Sequence, residues 1–264
     1  MTVRLDEMTW LEVKEALKKP HAILLPLGST EQHGPHLPLN IDSFWATYVA
    51  EETARWVTDH HKNISIFVAP TIHYTEVSCH KMFPGTVGVK ADTLLRMIED
   101  IVRSFIEQGF NKIILCNSHL ENNCIIEAAL RTVDSEFPNA GLYGVDLVAL
   151  GLDVRLTLTR AGSEGMGHAL EAETSMALAM QPHNVKLDRA TSGKRILPLS
   201  EKYLGASGMD KSKGLIYCSG ISGWEKTGIM GNPTLATKEE GERIVEATRD
   251  HLADIIMQLL RQEG

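Results

Sequence analysis

The sequence predicts an α/β protein with three layers, α/β/α, in which helices cover both faces of a largely parallel central sheet. Short apolar runs alternate along the chain with segments of helical periodicity, in the order strand, helix, strand, helix, strand, helix, strand. Such alternation is typical of parallel strands joined by right-handed crossovers, whose strand ends share one edge of the sheet. No internal repeat, low-complexity segment or linker interrupts residues 1–264, which we therefore interpret as one domain.

The individual elements follow from local patterns. Strands are predicted where short apolar or β-branched runs end at glycine, proline or a polar loop. They cover residues 22–27, 64–69, 112–116 and 141–148. Helices are predicted where apolar residues recur every three or four positions. They cover residues 10–19, 43–60, 91–108, 124–135, 167–180 and 238–261. Irregular structure is predicted for residues 149–165 and for 181–231, the latter with loops, short strands and subunit contacts.

The composition is that of an ordinary globular protein, with 43% hydrophobic and 23% charged residues. A net charge of -8 and a pI near 5.8 argue against a nucleic-acid or membrane-surface partner and leave a small-molecule substrate. The N-terminus shows neither a signal peptide nor a membrane span, so a cytoplasmic location is predicted by default. The cysteines form no CxxC pair and are predicted to be reduced: Cys79, Cys116, Cys124 and Cys218.

A cluster of metal-ligand residue types follows the first predicted strand. Residues 28–42 contain Glu31, His33, His36 and Asp42 among glycines and prolines that restrict the backbone. Each side chain taken alone is more often a solvated loop residue, and Asp42 would also serve simply as the N-cap of the next helix. Their concentration beyond the carboxyl end of a strand instead favours a ligand site. Glu31 and His33 would point to one side of an extended segment and suit a divalent ion.

The same arrangement recurs after the third predicted strand, where His119 and Glu121 lie two residues apart before the next helix. Because parallel strands end at one edge of a sheet, we expect this pair to lie near the first cluster. Carboxylates and imidazoles without thiolates suit zinc or manganese. The two clusters together therefore predict a site for two adjacent divalent ions.

Several segments resemble the creatininase family, the creatinine amidohydrolases and their relatives. The longest is GSTEQHGPHLP at residues 28–38 with Asp42 after it, and shorter ones are FPGT at 83–86, GHALEAETS at 167–175 and NPT at 232–234. The resemblance covers nearly the whole chain, about residues 22–241. It implies the creatininase-like fold, two divalent ions (zinc or manganese, with iron(II) also suitable) and a homo-oligomer, specifically a hexamer.

The resemblance also implies individual ligand roles. Asp42 would bridge the two ions, with Glu31 and His119 on one ion and His33 and Glu121 on the other. Metal binding would lower the pKa of a bound water from about 15.7 to near 7 and so provide hydroxide at neutral pH.

Glu173 is an alternative to Glu121 in this scheme. In relatives with glycines in place of Leu120 and Glu121, an acid of the third motif is expected to complete the metal site. Since Glu121 is present here, we expect Glu121 to bind the metal and Glu173 to contact the metal ligands without binding the metal itself. Such partners orient the ligands. The resemblance gives no role to His36.

His168 is the expected proton shuttle, because an amide nitrogen leaves only when protonated and imidazole titrates near neutral pH. By itself a histidine at this position would more often be structural or exposed; its place in the third motif favours catalysis. Ser78 and His80 precede the FPGT segment, in a loop that lies against the active site in the family. They are expected to contact the substrate, although a loop histidine is more often merely solvated.

Three functions are compatible with these residues. The first is a metal-dependent amidohydrolase that uses a metal-bound hydroxide to cleave a C–N bond of a small cyclic amide, creatinine or a similar molecule. Creatinine hydrolases carry tryptophans before the third motif, whereas this chain has none between Trp56 and Trp224, and Leu120 stands where they have an aromatic residue. A deformylase or peptide-trimming hydrolase of the same family is the second hypothesis, and a catalytically silent metal-binding scaffold is the third.

Overall fold

A computed structural model describes residues 2–160, 167–194 and 226–261. Within these ranges the strands form one parallel sheet in the order β2-β1-β3-β4. Their bounds are His21–Leu27 for β1, Ser65–Val68 for β2, Lys112–Asn117 for β3 and Gly141–Asp146 for β4. In the register of the sheet, Ile23 of β1 pairs with Phe67 on one side and with Ile113 on the other.

Helices precede, connect and follow the strands. They are α1 Trp10–Ala16, α2 Ile41–His60, α3 Ala91–Glu107, α4 Asn123–Glu136, α5 Leu147–Leu150, α6 Leu152–Leu158, α7 Glu171–Met180 and α8 Lys238–Arg261. The first begins at a capping box, in which Thr9 and Glu12 exchange side-chain to backbone hydrogen bonds. No helix in the described ranges is long and apolar enough to cross a membrane.

The two faces of the sheet pack against different helices, because alternate side chains of a strand point to opposite faces. Leu24 of β1 belongs to the core formed with α2, α7 and α8, whereas Ile23 and Leu25 belong to the core formed with α3 and α4. All of β1 is buried. Each fully buried aliphatic side chain contributes about 1.5–3 kcal/mol to folding. The three-layer α/β/α architecture with a parallel sheet is thus confirmed.

The order of the strands places a switch point between β1 and β3. From β1 the chain passes through α2 to β2 on one side, and from β3 it passes through α4 to β4 on the other. Since α2 and α4 lie on opposite faces, the connections diverge at the carboxyl ends of β1 and β3. A crevice at such a point is where α/β proteins bind ligands.

Tight packing joins α7 to α8 at Gly241 in the first turn of α8. A Cβ atom on Gly241 would overlap the backbone carbonyl of Ser175 in α7. The glycine therefore permits a close approach of the two backbones, and this approach fixes α7 over the sheet.

Asp42 does not cap α2, in contrast to one interpretation of the sequence. The helix begins at Ile41 with Asn40 as its N-cap, so Asp42 lies inside the first turn. Its carboxylate accepts a hydrogen bond from Ser29 and faces two histidines instead of the helix backbone.

The segment after β4 is more helical than the sequence predicted. The strand predicted for 141–148 ends at Asp146, because the Asp146 carboxylate accepts hydrogen bonds from the backbone N–H groups of Val148 and Ala149 and caps α5. Helix α6 follows within the segment 149–165, for which irregular structure was predicted, and residues 161–165 lie outside the described residues.

The helix predicted for 167–180 begins later, at Glu171. Residues before it are held in an antiparallel bridge between His168 and Met230. In the segment 181–231 the structure describes residues 181–194 and 226–231, which include short 3-10 turns at Pro182–Asn184 and Leu187–Arg189. The remaining part of that segment, including Trp224 and Cys218, lies outside the described residues.

Candidate metal centre

The predicted ligands converge at the switch point from separate elements. Glu31 and His33 lie in the loop after β1, Asp42 lies in the first turn of α2, and His119 lies between β3 and α4. His168 reaches the same place from the segment before α7. The four residues Glu31, His33, Asp42 and His119 are at most 6% exposed, and polar residues so deeply buried require partners.

Asp42 divides its two carboxylate oxygens between two histidines. Its Oδ1 lies 3.3 Å from His33 Nε2, and its Oδ2 lies 3.1 Å from His119 Nδ1. The Ser29 hydroxyl also donates to Oδ2, over 2.8 Å. Burial by itself would raise the pKa of Asp42, but the adjacent histidines outweigh it and hold that pKa well below its usual range. Each carboxylate oxygen of Asp42 therefore faces a different histidine.

Glu31 lies at the centre of the histidines. Its Oε1 lies 3.4 Å from His119 Nδ1, 3.8 Å from His168 Nδ1 and 3.7 Å from His80 Nε2. Its Oε2 is buried and accepts no hydrogen bond from the described residues. An orphaned carboxylate oxygen in a cluster of nitrogen and oxygen donors is an arrangement that a cation would satisfy.

The buried carboxylates favour positive charge on the neighbouring imidazoles. For His33, burial alone would lower the pKa, but the charges of Asp42, Glu173 and Glu31 raise it to about 9. For His119, burial again opposes the shift, and Glu31 and Asp42 raise the pKa well above the usual value. A divalent ion would provide the same positive charge and would bind to the neutral rings.

Two overlapping groups of candidate ligands result, and the ligand atoms within each group lie within 4.8 Å of one another. The first contains Glu31, Asp42 and His119, and the second contains Glu31, His33 and His168. The donors are oxygen and nitrogen without thiolate, which is the chemistry expected for zinc or manganese. The residues present therefore fit divalent metal ions.

His168 has a different electrostatic environment from His33 and His119. Its Nε2 donates a 2.6 Å hydrogen bond to the backbone carbonyl of Gln32. Its ring lies between those of His33 and His80, with centroid distances of 4.3 and 4.4 Å. Burial, together with the charges of His33 and His80, holds the pKa of His168 well below its usual value. A neutral imidazole can accept a proton, as a shuttle requires.

Glu121 is brought to the site but not beside His33. Its Oε2 lies 3.5 Å from His119 Nε2, the ring nitrogen opposite the one that faces Asp42, and its Oε1 accepts from the Cys79 thiol. Burial would raise the pKa of Glu121, and the hydrogen bond and charge of His119 lower it.

Glu173 lies at the start of α7 and is buried. Its Oε2 accepts a 2.5 Å hydrogen bond from the backbone N–H of Ala169. Burial, opposed by the charge of His33, raises the pKa of Glu173. The hydrogen bond to Ala169 supports the turn after His168, and the charge of Glu173 raises the pKa of His33.

Ser78 and His80 lie in a short 3-10 helix, Ser78–His80, in the loop before the FPGT segment. His80 is buried and faces Glu31, whereas Ser78 is partly buried and its backbone N–H donates to the Glu76 carboxylate. The structure therefore places His80 at the site, in contrast to the interpretation of a solvated histidine.

Among the described residues, the polar side chains at the site that were not assigned from the sequence include Ser29, Gln32 and Cys79. Ser29 and Gln32 lie inside the GSTEQHGPHLP segment, close to Glu31. This proximity in the sequence could have indicated that they lie at the site. Cys79 adjoins His80, but its contact with Glu121 joins positions 42 residues apart. No sequence pattern indicates that contact.

Residues 6–256 match the family model described as creatininase, creatinine amidohydrolase. A mycofactocin precursor peptide peptidase of Mycobacterium tuberculosis is 30% identical over 87% of this chain and 82% of that protein. Creatinine amidohydrolase of Pseudomonas putida is 26% identical over 97% of this chain and 96% of its own. The solved structure of a manganese creatininase has a TM-score of 0.82 at 24% identity, covers 98% of this chain and 99% of that one, and shares the fold.

Proposed function

Because this chain belongs to the creatininase family, we propose that it is a hydrolase with two divalent metal ions that cleaves a carbon–nitrogen bond of a small cyclic amide, creatinine or a similar ring. The observation that carries the proposal is the buried group of Glu31, Asp42 and His119, whose ligand atoms lie within 4.8 Å of one another. Burying two carboxylates and an imidazole together at a switch point is costly unless partners compensate their charges, and a divalent ion would supply that compensation.

In the proposed centre Asp42 would be shared between the two ions. Glu31 and His119 would hold one ion, and His33 would hold the other together with Glu121. Glu173 is the alternative to Glu121, because its charge already acts on His33. The manganese form of a solved creatininase supports manganese, and the mixed nitrogen and oxygen donors equally suit zinc.

The ions would activate a water molecule as the nucleophile and polarise the carbonyl under attack. The protein has to move one proton, from the nucleophile to the departing nitrogen. His168 does this in our proposal, because its Nδ1 lies 3.8 Å from Glu31 Oε1, among the candidate ligands. Its hydrogen bond to the Gln32 carbonyl holds the ring in place while the proton moves.

Ser78 and His80 are the proposed substrate contacts. His80 presents its Nε2 towards Glu31, and thus towards the reacting carbonyl in this scheme. Loop 73–88, which carries both, is tied to the ligand loop by hydrogen bonds from Gln32 N–H to the Thr86 hydroxyl and from Val87 N–H to the Thr30 carbonyl. The two loops therefore form one wall of the site.

A peptide-trimming activity is the second candidate. It is supported by the 30% identity to a mycofactocin precursor peptide peptidase, and by the lack of any tryptophan between Trp56 and Trp224 that could stack on a flat ring. A deformylase activity would use the same proton transfer. A catalytically silent scaffold would bind metal through the same ligands, but His168 would transfer no proton.

An assay of the purified protein distinguishes these functions. The protein is stripped with chelator, reloaded with manganese or zinc, and tested on creatinine, other cyclic amides and imides, formamides and short peptides. We expect metal-dependent turnover of the cyclic amides that is lost in His168→Ala. Turnover of peptides or formamides alone would shift the assignment to the second candidate, and two bound ions without turnover of any class would favour the silent scaffold.

The remaining expectations are also proposals. We expect residues 1–264 to act as one domain, and we expect a cytoplasmic homo-oligomer, a hexamer by family resemblance, with a small-molecule substrate. Light scattering of the metal-loaded protein tests the oligomeric state.

A further inference from the structure

In the sequence, Gln32 lies between the candidate metal ligands Glu31 and His33. It also contacts two other histidines of the site. Its side-chain Nε2 lies 3.0 Å from His80 Nδ1, and its backbone carbonyl accepts the 2.6 Å hydrogen bond from His168 Nε2. We propose that Gln32 is a positioning residue that sets which ring nitrogen carries the proton on both histidines, so that His80 donates to the reacting atoms and His168 accepts from them.

The orientation of the Gln32 amide is fixed by backbone groups that do not depend on either histidine. Its Oε1 accepts a 2.9 Å hydrogen bond from the Gly34 N–H, and its Nε2 donates a 3.0 Å hydrogen bond to the Gly228 carbonyl. A backbone N–H can only donate and a backbone carbonyl can only accept, so the two ends of the amide cannot be exchanged. Gly228 has a φ of 67°, and a Cβ there would overlap the Gln32 amide.

This orientation determines the tautomer of His80. The Gln32 Nε2 is a donor without lone pairs to offer, so His80 Nδ1 must accept and the proton of the neutral ring lies on Nε2. His80 Nε2 is 3.7 Å from Glu31 Oε1. The N–H group of His80 is thereby directed into the centre of the site.

The backbone of Gln32 determines the tautomer of His168 in the same way. A carbonyl oxygen only accepts, so His168 Nε2 carries the proton and Nδ1 carries the lone pair. His168 Nδ1 lies 3.8 Å from Glu31 Oε1, on the same carboxylate oxygen that His80 faces. The two rings are stacked with centroids 4.4 Å apart, yet they present opposite polarity to the site.

This polarity has a catalytic consequence, which rests on the proposed hydrolase function. An N–H group aimed at the reacting carbonyl stabilises the negative charge that develops on its oxygen. A ring nitrogen with a lone pair accepts the proton of the nucleophile. Gln32 thus supplies one donor and one acceptor to the reaction without itself touching the substrate.

Nitrogen NMR of the zinc-loaded, ¹⁵N-histidine-labelled protein tests the tautomers without any substrate, using His80→Gln and His168→Ala to assign the signals. We expect the Nε2–H form for both histidines. In Gln32→Glu, whose carboxylate has the same shape but only accepts, His80 should gain a proton on Nδ1 while His168 keeps its form. An Nδ1–H form of His80 in the unmodified protein, or an unchanged His80 in Gln32→Glu, would overturn the inference.

A second pair of variants does not alter Gln32. The amide nitrogen of Gln in His80→Gln stands near the position of Nε2, and that of Asn in His80→Asn stands near Nδ1. We expect kcat of His80→Gln to exceed that of His80→Asn at least about 10-fold with similar KM, and Gln32→Glu to lose about 100-fold in kcat, as for loss of one oxyanion donor. Equal kcat for the two His80 variants would contradict the donor role. Loss of the proposed function would show as no turnover at all, with the NMR result unaffected.

Discussion

Glu173 accepts a 2.5 Å hydrogen bond from the backbone N–H of Ala169, which is the only non-glycine among the described residues with a positive φ, 54°. An L-residue in this conformation costs about 1–2 kcal/mol, so the surrounding structure has to hold it. The turn directly follows His168. Glu173 therefore stabilises the backbone conformation from which the proposed proton shuttle extends.

Substitutions at Glu173 should separate its hydrogen bond from its charge. Glu173→Gln retains an acceptor for the Ala169 N–H, whereas Glu173→Ala leaves that buried N–H without one. We expect Glu173→Ala to lower the free energy of unfolding by about 1–3 kcal/mol and Glu173→Gln by less. Urea denaturation of the metal-free proteins measures both values. Ala169→Gly is the control, since glycine adopts this φ without strain and should cost less than about 1 kcal/mol. Equal stability of the Ala and Gln variants would argue against the role.

Removal of metal should destabilise the protein reversibly. Glu31 and Asp42 are buried carboxylates, and ions bound only by the folded state add stability by mass action, about 2.7 kcal/mol at 100 times the dissociation constant. We expect chelator to lower Tm and manganese or zinc to restore it, while magnesium restores less because the histidine nitrogens suit it poorly. An unchanged Tm after complete removal of metal, verified by elemental analysis, would contradict the proposed centre.

His119 and His168 should respond differently to alanine substitution. His119 Nδ1 lies within 3.4 Å of both Glu31 and Asp42, so His119→Ala should lower the metal content. His168→Ala should keep the metal and lose activity by about 10²–10⁴-fold, the usual contribution of a proton-transfer group. Elemental analysis and kcat are measured on the same samples. Metal retained by His119→Ala, or activity retained by His168→Ala, would refute the corresponding role.

The choice between Glu121 and Glu173 as a ligand is also testable. Glu121 contacts Cys79 and His119 Nε2, whereas Glu173 contacts Ala169 and its charge acts on His33. We expect Glu121→Gln to reduce the bound metal from two ions to about one. Glu173→Gln should retain two, because it keeps its hydrogen bond to Ala169. The opposite result would assign Glu173 to the second ion.

Gly241→Ala should destabilise the protein although alanine is the better helix former. Helix propensity alone predicts a gain of about 1 kcal/mol. The added Cβ would overlap the Ser175 carbonyl, and forcing α7 and α8 apart should cost about 1–3 kcal/mol or more. Arg243→Ala, on the exposed side of the same helix, is the matched control and should change stability by less than about 0.5 kcal/mol. A stability gain in Gly241→Ala would show that the helices can separate without loss.

The periodicity of the sequence predicted an element closely where burial of its apolar side chains alone determines it. The strand predicted for 22–27 extends over His21–Leu27, and the last helix predicted for 238–261 is Lys238–Arg261. Both depend on apolar patterning, which is visible in the sequence. The predicted end of β4 at residue 148 was wrong because the side chain of Asp146 caps α5. This local hydrogen bonding competes with continuation of the strand.

The candidate site was predicted less completely than the fold. The grouping of Glu31, Asp42 and His119 followed from strand ends and family resemblance, and the structure brings these side chains together. The contacts of Gln32 with His80 and Gly228, and of Glu121 with Cys79, join segments distant in sequence, and no pattern of spacing encodes such contacts. Asp42 shows the same limit, because a position near a helix start favoured a cap until the direction of its carboxylate was known.

The hydrogen bond between the Gln32 amide and the Gly228 carbonyl joins residues 196 positions apart, and the one between His168 and Gln32 spans 136 positions. Closing such long loops costs more chain entropy than forming a helix or pairing neighbouring strands, so these contacts are expected to form late in folding. A partly folded chain with its first strands paired would already contain the ligand residues near the sheet edge. The rings of His80 and His168 would not yet have their final orientation. Recovery of the proposed activity during refolding would therefore report the last long-range closure, after spectroscopic signals of the sheet have already returned.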